Sequence, residues 1–215
     1  MNFWEFIQDR WSLLWFQGYQ HLSMVVQSLL IATLVALVVA VLTYRSNAWT
    51  GLAEAGAAVG LTIPSFALFG LLIAMITSGV VLSVVVLAFY GALPIVRNAV
   101  VGLRRVDPAL VESARGMGMS RATALWRLEL PLAWPVILTG IRVSAQMLMG
   151  IGAIAAYASG PGLGSFIFSG LSRLGGANST NLAWAGILGV VILAIVLDIV
   201  LNIIGRLTTS RGIRV

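Results

Sequence analysis

Read as runs of apolar and polar positions, the chain alternates long apolar stretches with short polar breaks. Five stretches stand out, at 22–43, 51–76, 80–96, 132–157 and 182–206. Each approaches or exceeds the roughly 20 apolar residues that cross a bilayer as a helix. The second and third are separated only by Thr77, Ser78 and Gly79, which predicts a tight helical hairpin. Pro64 and Pro94 fall inside stretches, where a kink is tolerated if neighbouring helices satisfy the freed carbonyls. The expectation is an all-α polytopic membrane protein. Its permease domain would occupy 22–206, with a loop at 97–131, and a tail would follow at 207–215.

The first 21 residues follow a different pattern. Glu5 and Asp9 exclude a continuous apolar core, and there is no basic start, so this is not a signal peptide. Trp4, Trp11 and Trp15 recur at spacings of seven and four, which is helical. The segment reads as an amphipathic helix lying in the outer interface, where indole rings prefer to sit.

Composition agrees with the lipid reading. Of the 215 residues, 60% are hydrophobic and 9% charged, against about 25% charged in soluble domains. The net charge of +6 does not form a nucleic-acid-binding stripe, because the basic residues gather between spans. With the amino terminus outside, the inner segments hold Arg45, Arg97, Arg104, Arg105, Arg115, Arg121, Arg127, Arg206, Arg211 and Arg214. The outer segments hold Arg10 and Arg173. That asymmetry puts the carboxyl terminus and the 97–131 loop in the cytoplasm.

The absence of cysteine excludes disulfides and thiolate chemistry. The absence of lysine excludes a P-loop nucleotide site. His21, the single histidine, reads as an interfacial residue rather than a metal ligand. No pair of acids suggests general acid–base chemistry, so neither catalytic residues, metal nor cofactor is expected. Arg142 and Asp198 are the charges deepest within spans, at similar depths. A charge there costs at least ~2.5 kcal/mol on insertion scales, so the two are expected to pair, or else each to find water or a nearby polar group.

The 97–131 loop carries the most specific pattern. Asp107 followed by Pro108 reads as a helix cap with proline in the first turn. Gly116 and Gly118 would end that helix, and Ser120 would cap a second leading through Leu128, Glu129 and Leu130 to Pro131. The result is a helical elbow with Glu112 as a charged contact and Ser113 and Ala114 as small residues open to close approach. Within it, Glu112-Ser113-Ala114, three residues, Gly118, nine residues and Leu128-Glu129-Leu130-Pro131 resemble the cytoplasmic loop of bacterial ATP-binding-cassette (ABC) importer permeases, with Ser and Leu in place of an Ala and an Ile.

The resemblance covers about 22–206. It is closest to the osmoprotectant permeases for glycine betaine, choline and carnitine, through the stretches 63–68, 93–98, 116–120 and 160–168. Methionine and other amino-acid importer permeases share the elbow and are the alternative. An ion-coupled secondary transporter is disfavoured, since no inverted repeat or broken helix with mid-bilayer ionisable groups is evident. The resemblance implies a type I importer fold in the bacterial inner membrane and an elbow that docks an ABC ATPase through Glu112, Ser113, Ala114, Gly118, Leu128, Leu130 and Pro131. It further implies a second permease subunit, identical or paralogous, and an extracytoplasmic substrate-binding protein. The turn at Gly160, Gly162 and Gly164 is a candidate outer gate or an ordinary loop.

Overall fold

The computed structural model describes residues 1–209 and is entirely helical among them. Residues 210–215, with Arg211, Arg214 and most of the expected tail, lie outside the described residues. Ten α-helices are present among the described residues: α1 (Phe3–Asp9), α2 (Trp11–Thr43), α3 (Asn47–Thr62), α4 (Ser65–Leu72), α5 (Gly79–Arg104), α6 (Pro108–Gly116), α7 (Arg121–Ala124), α8 (Leu130–Ile154), α9 (Gly164–Ser172) and α10 (Ser179–Thr208).

Among the described residues four helical stretches are long and apolar enough to cross a membrane, and a fifth is reached if the bent pair α3–α4 counts as one span. That pair departs from the sequence expectation. The 51–76 stretch turns by 88° between Thr62 and Ser65, so Pro64 breaks the helix rather than kinking it. The residue before a proline is driven out of the α region, and Ile63 is extended (φ −67°, ψ 124°). The Ile63 carbonyl released by the break accepts a hydrogen bond from the Tyr90 hydroxyl at 2.6 Å.

The amino-terminal segment also differs. Its break falls at Arg10, not near residue 21, and the chain from Trp11 runs unbroken into the first span. The 33 residues of α2 extend ~50 Å at ~1.5 Å per residue, well beyond the ~30 Å hydrocarbon core. The short α1 is closed by a reciprocal cap between Asn2 and Glu5. Its Phe6 is buried against Leu163, Phe166 and Ala185, which folds α1 back over α9 and α10. Trp4, Trp11 and Trp15 stay exposed, as their spacing requires.

The core is the contact among α2, α5 and α8. Ala32, Ala36 and Ala40 recur every fourth residue on α2 and are fully buried, so the backbones approach closely. A Cβ on Gly91 would meet Leu148 Cδ1 at 2.9 Å and Ala32 Cβ at 3.0 Å. A Cβ there would force Leu148 and Ala32 to give way where the three helices cross. Three residues later Pro94 disturbs the helical ladder of α5, and Ser144 of α8 donates to the Gly91 carbonyl at 2.7 Å.

Candidate functional site

At one end of the bundle the chain between α5 and α8 forms the elbow. Asp107 Oδ1 accepts from the Ala109 amide at 2.9 Å, and Pro108 occupies the first turn of α6. Gly116 remains helical and the reversal falls at Gly118, whose φ of +89° is left-handed. Ser120 Oγ accepts from the Thr123 amide and starts α7. A π-helical turn, Leu125–Glu129, then joins α7 to α8, so the chain re-enters the bundle as one continuous helical stretch.

The structure divides the motif residues into two groups. Glu112, Ser113, Gly118 and Pro131 are exposed, and Leu128 and Leu130 are half-buried where α8 begins. Ala114 faces inward and is buried, so its side chain is not on the exposed surface of the elbow, where the sequence had placed it for close approach. Helical periodicity explains this, because Val111 and Ala114 lie on the inner face of α6 while Leu110 and Ser113 lie on the outer. The exposed elbow also carries Leu110, Met117 and Trp126. The motif did not single these out, although large apolar side chains in a polar loop were a visible signal.

The elbow is seated through Glu129, only 4% exposed. Its carboxylate accepts from the Tyr44 hydroxyl at 2.8 Å and from Arg45 at 3.0 Å, both just past the end of α2. Burial and donation to Glu129 push the Tyr44 hydroxyl up to about 12. Beside this seat lies a cleft of about 540 Å³, lined by Arg45, Arg104, Arg115 and Arg121 together with Glu112 and Glu129.

At the opposite end α8 tightens into a 3₁₀ turn, Ala155–Ala158, and the chain reverses through Ser159 (φ +58°) and Gly162 (φ +120°) into α9. Gly160 and Gly164 are packed so closely against Ser83 and the Ala153 carbonyl, respectively, that neither has space for a Cβ. A Cβ on Gly162 would lie 2.8 Å from His21 Nδ1. His21 is fully buried beneath this turn, with Nε2 3.2 Å from the Met149 carbonyl. It is therefore a packing residue between α2, α8 and the glycine turn rather than the interfacial residue its position suggested.

Between the two ends, Arg142 and Asp198 are brought together across α8 and α10. Three hydrogen bonds of 2.9–3.1 Å link them, and Gln146 and Asn202 donate to the same carboxylate at 3.2 and 3.1 Å. Their side chains retain 36% and 26% exposure. An uncovered charge pair at this depth has to face protein or water. The exposed residues of α8 around it include Thr139, Gln146 and Gly150. The exposed faces of α2 and α10 instead carry Leu30, Leu34, Val38, Ile192, Ile195 and Ile203, which suit lipid. Among the described residues no group of three metal-ligating side chains occurs.

Comparison with known proteins resolves what this architecture is. Residues 21–210 match the family described as the binding-protein-dependent transport system inner membrane component. The chain belongs to that family. The permease is 35% identical to the choline transport system permease OpuBB of Bacillus subtilis, over 98% of this chain and 95% of that one. It is 38% identical to the osmoprotectant import permease OsmW of Salmonella typhimurium, over 91% and 92%. Its fold matches the inward-facing MetNI methionine ABC transporter with a TM-score of 0.80 at 21% identity, covering 94% of this chain and 99% of that one. An amino-acid ABC transporter matches at 0.71 and 18% identity, over 98% and 99%. The protein is thus a multi-pass ABC importer permease of the osmoprotectant group, a transport subunit without a catalytic role of its own. Such systems pair the permease with an ATPase and a binding protein.

Proposed function

We propose that the permease forms the membrane pathway for a quaternary ammonium osmoprotectant such as choline, glycine betaine or carnitine. The observation that carries this reading is the near full-length likeness to permeases named for choline, carnitine, glycine betaine or osmoprotectants, at 31–38% identity. A second permease subunit, identical or paralogous, covers the polar face of α8, so that Arg142, Asp198 and Gln146 line a wet path rather than meeting lipid. The elbow lies in the cytoplasm and docks the ATPase through Glu112, Ser113 and the turn at Gly118, with Leu110, Met117 and Trp126 adding apolar anchors. Ala114, Leu128 and Leu130 hold the elbow's shape from behind, and Pro131 stands exposed where α8 begins. The turn at Gly160, Gly162 and Gly164 is the outer gate on the amino-terminal side of the membrane, where the binding protein delivers solute.

Uptake into proteoliposomes holding the permease, its ATPase and its binding protein tests the solute. ATP-dependent import of labelled choline, betaine or carnitine is expected, and import of methionine alone would overturn the reading. Orientation is read separately, because the chain contains no cysteine. A cysteine placed at Ser113 should react with an impermeant maleimide only from the cytoplasmic side, and one at Ser172 only from the other.

A further inference from the structure

Three aromatic rings from separate parts of the chain converge beside the turn that ends α8. Phe66 sits in the first turn of α4, just past the 88° bend. Tyr157 lies in the 3₁₀ turn after α8, and Phe168 on α9. The centroids of Phe66 and Tyr157 are 4.3 Å apart, and those of Tyr157 and Phe168 are 6.3 Å apart, with interplanar angles of 40° and 43°. Packing in the core does not account for them, since Phe66 remains 47% and Tyr157 53% exposed.

Their position distinguishes them from an aromatic belt in lipid. Tyr157 follows the helix whose exposed residues include Thr139, Val143, Gln146 and Gly150 and whose Arg142 pairs with Asp198. That is the face which intramembrane charge keeps away from lipid. The rings therefore stand at the mouth of the polar face, next to the glycine turn, and they are contributed by the bent arm α3–α4, by the 3₁₀ turn after α8 and by α9. Phe66 and Tyr157 pack against each other yet both keep exposed ring surface, and exposed aromatic surface is the chemistry that holds a methylated ammonium group.

We propose that Phe66, Tyr157 and Phe168 form a cation–π station for a quaternary ammonium head at the mouth of the translocation pathway. This rests on the solute reading above. The site holds the trimethylammonium group after its release from the binding protein, and its affinity is weak because the rings line one side only. A site that must also let go does not enclose its ligand.

The test uses the complete importer in proteoliposomes, with choline as the probe. Fluorinated phenylalanines placed at 66, 157 and 168 withdraw charge from the ring face with little change of shape. Transport KM should rise stepwise with fluorination, to about fivefold for the trifluorinated ring at 157. The dissociation constant of the binding protein for choline should stay fixed. Tyr157→Phe should transport like wild type, whereas Tyr157→Leu should match the trifluorinated protein. Binding-protein-stimulated ATPase in each variant confirms assembly. A KM flat across the fluorinated series, in a complex that imports choline, would overturn the station alone. A wild-type complex importing no quaternary amine would overturn the solute reading and the station with it.

Discussion

The Arg142–Asp198 pair allows the sharpest calculation. Asp198 receives three hydrogen bonds from Arg142, and further ones from Gln146 and Asn202. Asp198→Asn leaves the guanidinium with a neutral acceptor and no counter-charge. Arg142→Gln leaves the carboxylate with two neutral donors still in place. A charge at mid-bilayer costs about 2.5–3.5 kcal/mol on insertion scales, and breaking a fully buried pair costs about 3–5 kcal/mol. Here the side chains are 36% and 26% exposed, so water screens the lone charge and about 1–3 kcal/mol is expected for each single variant. Asp198→Asn should be the more damaging. The double variant, Arg142→Gln with Asp198→Asn, removes both charges and should lie within about 1 kcal/mol of wild type, because neither ion is left unpaired. Unfolding titrations in mixed micelles of rising sodium dodecyl sulfate measure all four corners of the cycle. A coupling of at least about 1 kcal/mol is expected. Single-variant effects that simply add, to within about 0.5 kcal/mol, would refute the reasoning and reduce the observed contact to two independent polar groups.

Three further outcomes follow from the geometry. Gly118→Val places a β-branched residue at φ +89°, where no Cβ contact intervenes, so its cost is backbone strain alone, about 1–3 kcal/mol; membrane insertion should be unchanged and solute-stimulated ATP hydrolysis should fall at least about tenfold. Gly162→Ala meets both a φ of +120° and the His21 ring at 2.8 Å, so it should impair uptake strongly, while Gly175→Ala, at φ +81° in open space, should be mild; equal effects at the two sites would show that ring contact at the turn is irrelevant. Tyr44 has a folded value of about 12 against an ordinary 10, so the protonated hydroxyl is favoured by folding; stability from this group is fully present below pH 10 and is lost as pH rises toward 12. Tryptophan fluorescence across that window should show the loss in wild type and not in Tyr44→Phe.

Local rules carried the sequence reading a long way. Hydropathy located the apolar stretches, since lipid permits little else. Asp107, Pro108 and Ser120 marked the helix starts of the elbow because capping depends on residues two or three positions away. Gly118 was legible as a stop for the same reason. Even the Arg142–Asp198 contact could be anticipated, since depth along a helix is arithmetic and few charges were available to choose from. Tertiary structure decided what depends on direction and on distant partners. Hydropathy measures composition but not heading, so it could not separate a kink at Pro64 from an 88° break. The inward face of Ala114 depends on which side of α6 meets the bundle. Tyr44 and Glu129 lie 85 positions apart, and His21 and Met149 lie 128 apart. The rings of Phe66, Tyr157 and Phe168 come from three elements. No period in the chain encodes those meetings; they arise where glycine and alanine let α2, α5 and α8 pack closely and the connecting turns fall into place around them.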